Sequence, residues 1–338
     1  MSGKNIFSRL DTSKVPSLVG GDARRRFAQC KSLLDSTSWP LYFIGPSGSG
    51  KTLMAMNLAK SYSEERRVPS YYVQLSPEMT KTNLILGLRL VDGSLKVTDG
   101  VVADCMRRGG IIVVDEATHT THELLLMLNS VLDRTSVTSV GDEIVYSADT
   151  FRVIFCGNDS SYAGNVRLPQ SFAQRLAAFY FEYPSFESEL EITKRIVTNE
   201  CGLPMTVPDC VTRYVVATAR IVRSGQYPLS ARNAAIIVVM LNLMERARGG
   251  MDPYFTNEDT AEAKRRAAAS RIFQVDDGAL SLQLLLDREV TEFHQFVSDV
   301  GVENFRQAFL SGSMYYLDVD GLELNQETVR STVANMVI

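Results

Sequence analysis

The chain has 338 residues, of which 45% are hydrophobic and 22% charged, a composition typical of globular proteins. The formal net charge of −4 at pH 7 gives no overall basic excess for binding nucleic acid. No apolar run is long enough to span a membrane, and the five cysteines are widely spaced without a CxxC pair. We therefore expect a cytoplasmic protein with reduced thiols, long enough for two domains or for one large domain with a lid.

A glycine-rich stretch, GPSGSGKT, follows the short apolar run PLYFI (40–44) and precedes a segment with helical spacing. Glycines let successive backbone N–H groups surround a phosphate, and the start of a helix adds partial positive charge. In this pattern the lysine reaches the β- and γ-phosphates, and the threonine hydroxyl binds Mg²⁺. The predicted nucleotide-binding residues are Gly45, Pro46, Ser47, Gly48, Ser49, Gly50, Lys51 and Thr52. The alternative is a flexible Ser/Gly turn that binds nothing, which the flanking strand and helix disfavour.

The segment GGIIVVDEATH (109–119) places two carboxylates after four β-branched apolar residues. This pattern predicts a central parallel strand whose carboxyl end lies at the mouth of an α/β sheet. We predict that Asp115 holds Mg²⁺ and that Glu116 polarises the water that attacks the γ-phosphate. The alternative is a strand that leads into a helix with an acidic cap.

A third strand is predicted over TFRVIFCGND (150–159), and it ends at Asn158. A polar side chain at that strand end could position the same water between the two motifs. The alternative is an asparagine that only starts a turn.

In this order, the three motifs resemble those of a AAA+ ATPase. The finer match is to the MoxR-type branch, in the helix-2-insert clade, similar to Rubisco-activase-like and gas-vesicle-associated ATPases. The resemblance covers roughly residues 15–265 and includes SLVGGDARRRF (17–27), RLPQSFAQRLAAFYFEYP (167–184) and YPLSARNAAIIV (227–238). Residues 71–100 fall where this clade inserts a segment near the ring pore. Residues 134–153 resemble its hairpin before the third motif, with alternating TSV and EIVYS around GD.

The resemblance implies an α/β fold: a P-loop NTPase core of three layers with a parallel sheet, followed by an α-helical lid. The expected divisions are an N-terminal segment over 1–14, the nucleotide-binding core over 15–184, the lid over 185–273 and a C-terminal helical extension of unknown role over 274–338.

Two arginine roles follow from the same resemblance. Arg175 falls at the position of an arginine finger, which reaches the γ-phosphate of a neighbouring subunit in trans. Arg167 is the nearby alternative, because Gln174 and Leu176 stand where the family has Asp and Phe around the finger. Arg232, in LSARN, falls at the sensor-2 position and is expected to reach the same phosphates from the lid.

The resemblance implies Mg²⁺-dependent hydrolysis of ATP by a homo-oligomeric ring, expected to be a hexamer. Such a ring would remodel, assemble or activate a protein client, and a von Willebrand factor A domain protein is the candidate partner. A DNA- or RNA-directed motor and a non-motor nucleotide switch within an assembly remain as alternatives. The pI of about 5.6 argues against nucleic acid as the partner.

Overall fold

The computed structural model describes residues 9–91, 94–133, 135–158, 167–224, 229–248, 287–301, 304–305 and 307–309. The chain divides into two compact units, Met1–Tyr183 and Pro184–Ile338. The predicted lid and C-terminal extension lie partly outside the described residues. Within the described ranges, no helix combines the length and the apolar character that crossing a membrane would require.

The first unit is built around a parallel sheet. The described strands of this unit are β1 (Leu41–Gly45), β2 (Ser70–Gln74), β3 (Leu86–Val91), β4 (Ser94–Asp99), β5 (Ile111–Asp115), β6 (Val137–Val140), β7 (Glu143–Tyr146), β8 (Arg152–Asn158) and β9 (Ala177–Tyr180). Five of them pair in the order β2-β5-β8-β1-β9, and every pairing is parallel. The predicted parallel sheet is confirmed, and β5 is buried along its whole length, as its branched apolar residues require.

Helices cover both faces of this sheet. They are α1 (Gly21–Ser36), α2 (Lys51–Arg66), α3 (Lys81–Leu84), α4 (Val101–Arg108), α5 (His122–Met127), α6 (Asn129–Leu132) and α7 (Gln170–Ala173). Successive side chains of a strand point to opposite faces. On β5, Ile111 and Val113 therefore pack in the core with α1 and α2, whereas Ile112 and Val114 pack in the core with α4, α5 and α6. This alternation gives the three-layer arrangement that the resemblance implied.

Two antiparallel hairpins accompany the sheet. The predicted hairpin within 134–153 is confirmed as β6 and β7, which pair around Gly141. Strands β3 and β4, within 71–100, form the second hairpin. Arg107 on α4 contacts both, because its guanidinium lies 2.9 Å from the Asp99 carboxylate and 2.7 Å from that of Glu143.

The second unit is helical in its described part. It contains α8 (Phe186–Arg195), a π-helical turn (Ile196–Glu200), α9 (Asp209–Ser224), α10 (Ala231–Arg248) and α11 (Asp287–Val300). Phe293 of α11 and Phe305 pack in the same core as Val211 of α9 and Val238 of α10. The described part of the predicted C-terminal extension therefore shares one hydrophobic core with the predicted lid helices.

The buried carboxylate of Glu189, on α8, forms ion pairs with two arginines of α9. Glu189 is 0% exposed, and it accepts a hydrogen bond of 2.9 Å from the Arg220 guanidinium and further bonds from Arg223. Both arginines are largely buried as well. Loss of the carboxylate would remove the anion that these two largely buried guanidinium groups share, which is costly in a low-dielectric interior.

We expect Glu189→Ala to destabilise the second unit by about 3–5 kcal/mol, the usual cost of breaking a buried ion pair. Hydrogen exchange of the α9 amides as a function of urea would measure this loss. Glu191→Ala, at an exposed glutamate of the same helix, is the matched control, with an expected change within about 0.5 kcal/mol. Equal exchange in the two variants would contradict a structural role for Glu189.

Candidate active site

The predicted phosphate loop connects β1 to α2. Pro46, Ser47, Gly48 and Ser49 form the turn, and Gly50 precedes α2 with a left-handed backbone at φ 89°. Gly45 ends β1 at φ 155°, where an added Cβ would lie 2.1 Å from the carbonyl oxygen of Phe181. The close approach of the segment that follows β9 therefore requires glycine at this position.

Lys51 points back into this loop. Its ammonium group donates to the carbonyl oxygens of Gly45 and Pro46, at 2.9 and 2.7 Å, and to Oδ1 of Asn158 at 3.0 Å. An ammonium group has three protons, so these three acceptors use all of them. Lys51 is 7% exposed, and burial lowers the pKa of its ammonium group, against the opposing effect of the Asp115 and Glu116 charges.

Asp115 receives three donors at the end of β5. The hydroxyls of Thr52 and Tyr72 donate to its Oδ2, at 3.0 and 2.9 Å, and the backbone N–H of Glu116 donates to Oδ1 at 3.0 Å. Tyr72 lies on β2 and was not predicted from the sequence. Burial, followed by the charge of Asp115, raises the pKa of the Tyr72 hydroxyl, so the tyrosine remains a donor.

Glu116 occupies a left-handed backbone conformation with φ 55°. This region is uncommon for residues other than glycine, and such strain concentrates at functional sites. Its Oε2 accepts a hydrogen bond of 3.3 Å from Nδ2 of Asn158. Burial, followed by the negative charge of Asp115, raises the pKa of the Glu116 carboxyl.

Asn158 connects the two predicted motifs. It accepts from Lys51 through Oδ1 and donates to Glu116 through Nδ2. Its backbone N–H donates to the hydroxyl of Thr118 at 3.2 Å, and Thr118 is 3% exposed. Thr118 was also not predicted, since a threonine after the acidic pair carries no signal until β5 and β8 are known to be neighbours.

The oxygens of Thr52 and Asp115 fit a magnesium ion. Mg²⁺ is usually held by one or two carboxylates together with waters and the phosphates of a substrate. Here a hydroxyl and a carboxylate oxygen lie 3.0 Å apart, at the start of α2 and the end of β5. The two predicted ligands therefore supply the hard oxygen donors that this ion prefers.

The described contacts of the two candidate finger arginines, Arg175 and Arg167, are with residues other than Lys51, Asp115 and Glu116. The Arg175 guanidinium forms a bidentate ion pair with Asp133, at 2.7 and 3.2 Å, and also donates to the carbonyl oxygen of Ser171. Arg167 is exposed, and its carbonyl oxygen accepts from Nε2 of His122 at 2.7 Å. Arg232 is an exposed residue of the first turn of α10 in the second unit, so its contact with the nucleotide remains a prediction.

Residues 40–176 match the family model of the AAA domain (dynein-related subfamily). NtrX from Brucella abortus, solved in complex with ADP, superposes with a TM-score of 0.50 at 18% identity, covering 93% of this chain and 70% of that chain. The matched region has the P-loop fold of a AAA domain. The matched region of the AAA domain includes every predicted site residue except Arg232.

Curated relatives match about half of the chain. An uncharacterized protein of Staphylococcus aureus (strain USA300) is 29% identical over 175 aligned residues, and the match covers 49% of this chain. A second, from strain MRSA252, matches with the same identity and extent. The match spans 61% of the length of these relatives, so the likeness concerns that part alone.

We expect Gly45→Ala to destabilise the first unit by about 1–3 kcal/mol, because alanine would strain the backbone and collide with the Phe181 carbonyl. Thermal unfolding of the full chain would measure the shift. Gly21→Ala, in α1, is the matched control, because an added Cβ meets nothing within 4 Å and alanine favours a helix. An unchanged unfolding temperature for Gly45→Ala would show that the loop can move aside.

Proposed function

We propose that the protein binds ATP with Mg²⁺ and hydrolyses it to ADP and phosphate as a AAA+ ATPase. The observation that carries this proposal is the hydrogen-bonded connection of Lys51, Thr52, Asp115, Glu116 and Asn158 at the carboxyl edge of the sheet. Two carboxylates, an ammonium group and an amide converge there, next to a glycine-rich helix start. That set of groups is suited to phosphoryl transfer to water.

Phosphate binding would use the chain's own N–H groups and Lys51. The three present acceptors of the Lys51 ammonium are neutral oxygens: two carbonyls and one amide. A phosphate oxygen is anionic, so its bond to the ammonium group adds an attraction between opposite charges that a neutral carbonyl oxygen does not provide. Exchange of a carbonyl for a phosphate oxygen is therefore favourable and would bring the lysine onto the triphosphate.

Thr52 and Asp115 would hold the magnesium ion. When bound, Mg²⁺ neutralises phosphate charge and polarises the phosphoryl oxygens. The role of the protein is to keep the hydroxyl and carboxylate oxygens side by side, as the 3.0 Å hydrogen bond between them does.

Glu116 would accept the proton of the attacking water. A carboxylate with a raised pKa is a stronger base than an ordinary glutamate, and burial raises the pKa of Glu116. Asn158 fixes the direction of that carboxylate through its Nδ2 and remains linked to Lys51 through Oδ1. Base and phosphate-binding lysine are thereby held in one hydrogen-bonded chain.

We further propose that the protein acts as a homo-oligomeric ring of the MoxR-type branch, with six subunits, in the cytoplasm. Among the described contacts of Lys51, Asp115 and Glu116 there is no arginine, which supports a finger supplied by a neighbour. The client is proposed to be a protein, with a von Willebrand factor A domain protein as the candidate. None of the five cysteines forms a disulfide, in keeping with a reducing compartment.

Two substitutions separate binding from hydrolysis. Lys51→Ala is expected to lose nucleotide binding, because the ammonium group that pairs with the phosphates is absent. Glu116→Gln is expected to bind ATP normally and to lose about 10²–10⁴-fold in turnover, the usual contribution of a general base. Fluorescent nucleotide titration and phosphate release would measure the two properties.

Lys60→Ala, on the same helix as Lys51, is the matched control and should alter neither property. Wild-type turnover in Glu116→Gln would contradict the proposed base. A non-motor switch predicts that Glu116→Gln keeps biological function while Lys51→Ala loses it. Steeply salt-dependent stimulation of turnover by DNA or RNA would instead favour a nucleic-acid motor.

Subunit mixing tests the finger. Arg175→Ala alone is expected to bind ATP but to lose about 10³–10⁵-fold in turnover, the range for a missing arginine finger. Mixed with Glu116→Gln, it should regain part of the activity, because a Glu116→Gln subunit supplies Arg175 to an Arg175→Ala neighbour with an intact Glu116. Phosphate release at fixed total protein would follow this recovery.

The same mixture made with Arg167→Ala tests the alternative finger. Recovery only with Arg167→Ala would assign the role to that residue, and full activity of Arg175→Ala alone would exclude Arg175. Light scattering with and without ATP shows whether each variant still assembles.

A further inference from the structure

We infer that Tyr72 is a positioning residue for metal binding: its hydroxyl holds the Asp115 carboxylate in the orientation that places Oδ2 beside Thr52. The inference rests on the proposed function, because it concerns the same magnesium site. It adds a residue that lies outside the three motifs from which the nucleotide site was predicted.

The register of the sheet explains how Tyr72 reaches Asp115. Strands β2 and β5 are parallel neighbours, in which Tyr72 pairs with Val113 and Gln74 with Asp115. Side chains two residues apart on a strand lie on the same face. Tyr72 and Asp115 therefore share a face, and the long tyrosine side chain spans the diagonal between them to bring its hydroxyl within 2.9 Å of Oδ2.

The donors around Asp115 have different tasks. The Glu116 N–H fixes Oδ1, and the Thr52 hydroxyl contacts Oδ2 but is itself a predicted metal ligand. In the described contacts, two side chains donate to Asp115, those of Thr52 and Tyr72. Of these two, Tyr72 is the one that is not itself predicted to bind the magnesium ion. Its bond can restrain the carboxylate whether Thr52 donates to Asp115 or turns to the ion. Partners of this kind orient metal ligands and tune metal affinity.

The neighbouring tyrosine offers a matched comparison. Tyr71 points to the opposite face of β2, where its hydroxyl donates to Oδ2 of Asp104 at 2.6 Å in a buried position. Tyr71→Phe and Tyr72→Phe each delete one hydroxyl that donates to a carboxylate, from adjacent residues of the same strand. Only the second deletion affects the carboxylate of the proposed site.

The experiment measures nucleotide affinity with and without the metal. Fluorescent ADP is titrated into the full chain in EDTA and then in Mg²⁺, and Mn²⁺ binding to the ADP complex is followed by electron paramagnetic resonance. We expect Tyr72→Phe to keep the affinity measured in EDTA and to weaken metal binding by about 10-fold or more. Tyr71→Phe should leave both quantities at the wild-type values.

Three results would overturn the inference. Wild-type metal affinity in Tyr72→Phe would show that the hydroxyl does not position Asp115, while the proposed function would stand. Equal loss of affinity in EDTA and in Mg²⁺ would indicate a general effect on the fold. Absence of nucleotide binding by the wild-type chain would remove the proposed function together with this inference.

Discussion

The arrangement of the candidate active site depends on one buried cation. The Lys51 ammonium is enclosed by oxygen atoms from the phosphate loop and from β8, and these oxygens replace the water that a charged group would otherwise need. The same three bonds fold the loop back on itself and tie it to Asn158. Through Asn158 the connection reaches Glu116, so one charged group relates the phosphate loop to the proposed base.

The order of the strands makes this connection possible. Strand β8 lies between β1 and β5, so the loop after β1, the amide that ends β8 and the acidic pair after β5 meet at one edge. Alternate residues of these strands pack in separate cores on the two faces, which fixes the register. A slip of one residue would turn Asp115 to the other face. The hydrophobic pattern of β5 thus determines where its carboxylate points.

The buried strand β5 and the glycine-rich loop could be predicted from the sequence, because each depends on a short run of neighbouring residues. Four branched apolar residues predict a buried strand, and the glycines before Lys51 predict a loop that glycine alone can form. The roles of Tyr72 and Thr118 could not be predicted, since each depends on which strands are neighbours. The bond between Arg175 and Asp133 joins residues 42 positions apart, beyond the reach of any periodic pattern.

The backbone at Glu116 sets a limit on how stable this protein can become. Its left-handed conformation costs about 1–3 kcal/mol in a residue with a side chain, and glycine would adopt it freely. A selection for thermal tolerance alone would therefore favour glycine at this position and discard the carboxylate with it. A glutamate at this strained position is what its proposed role as the base requires.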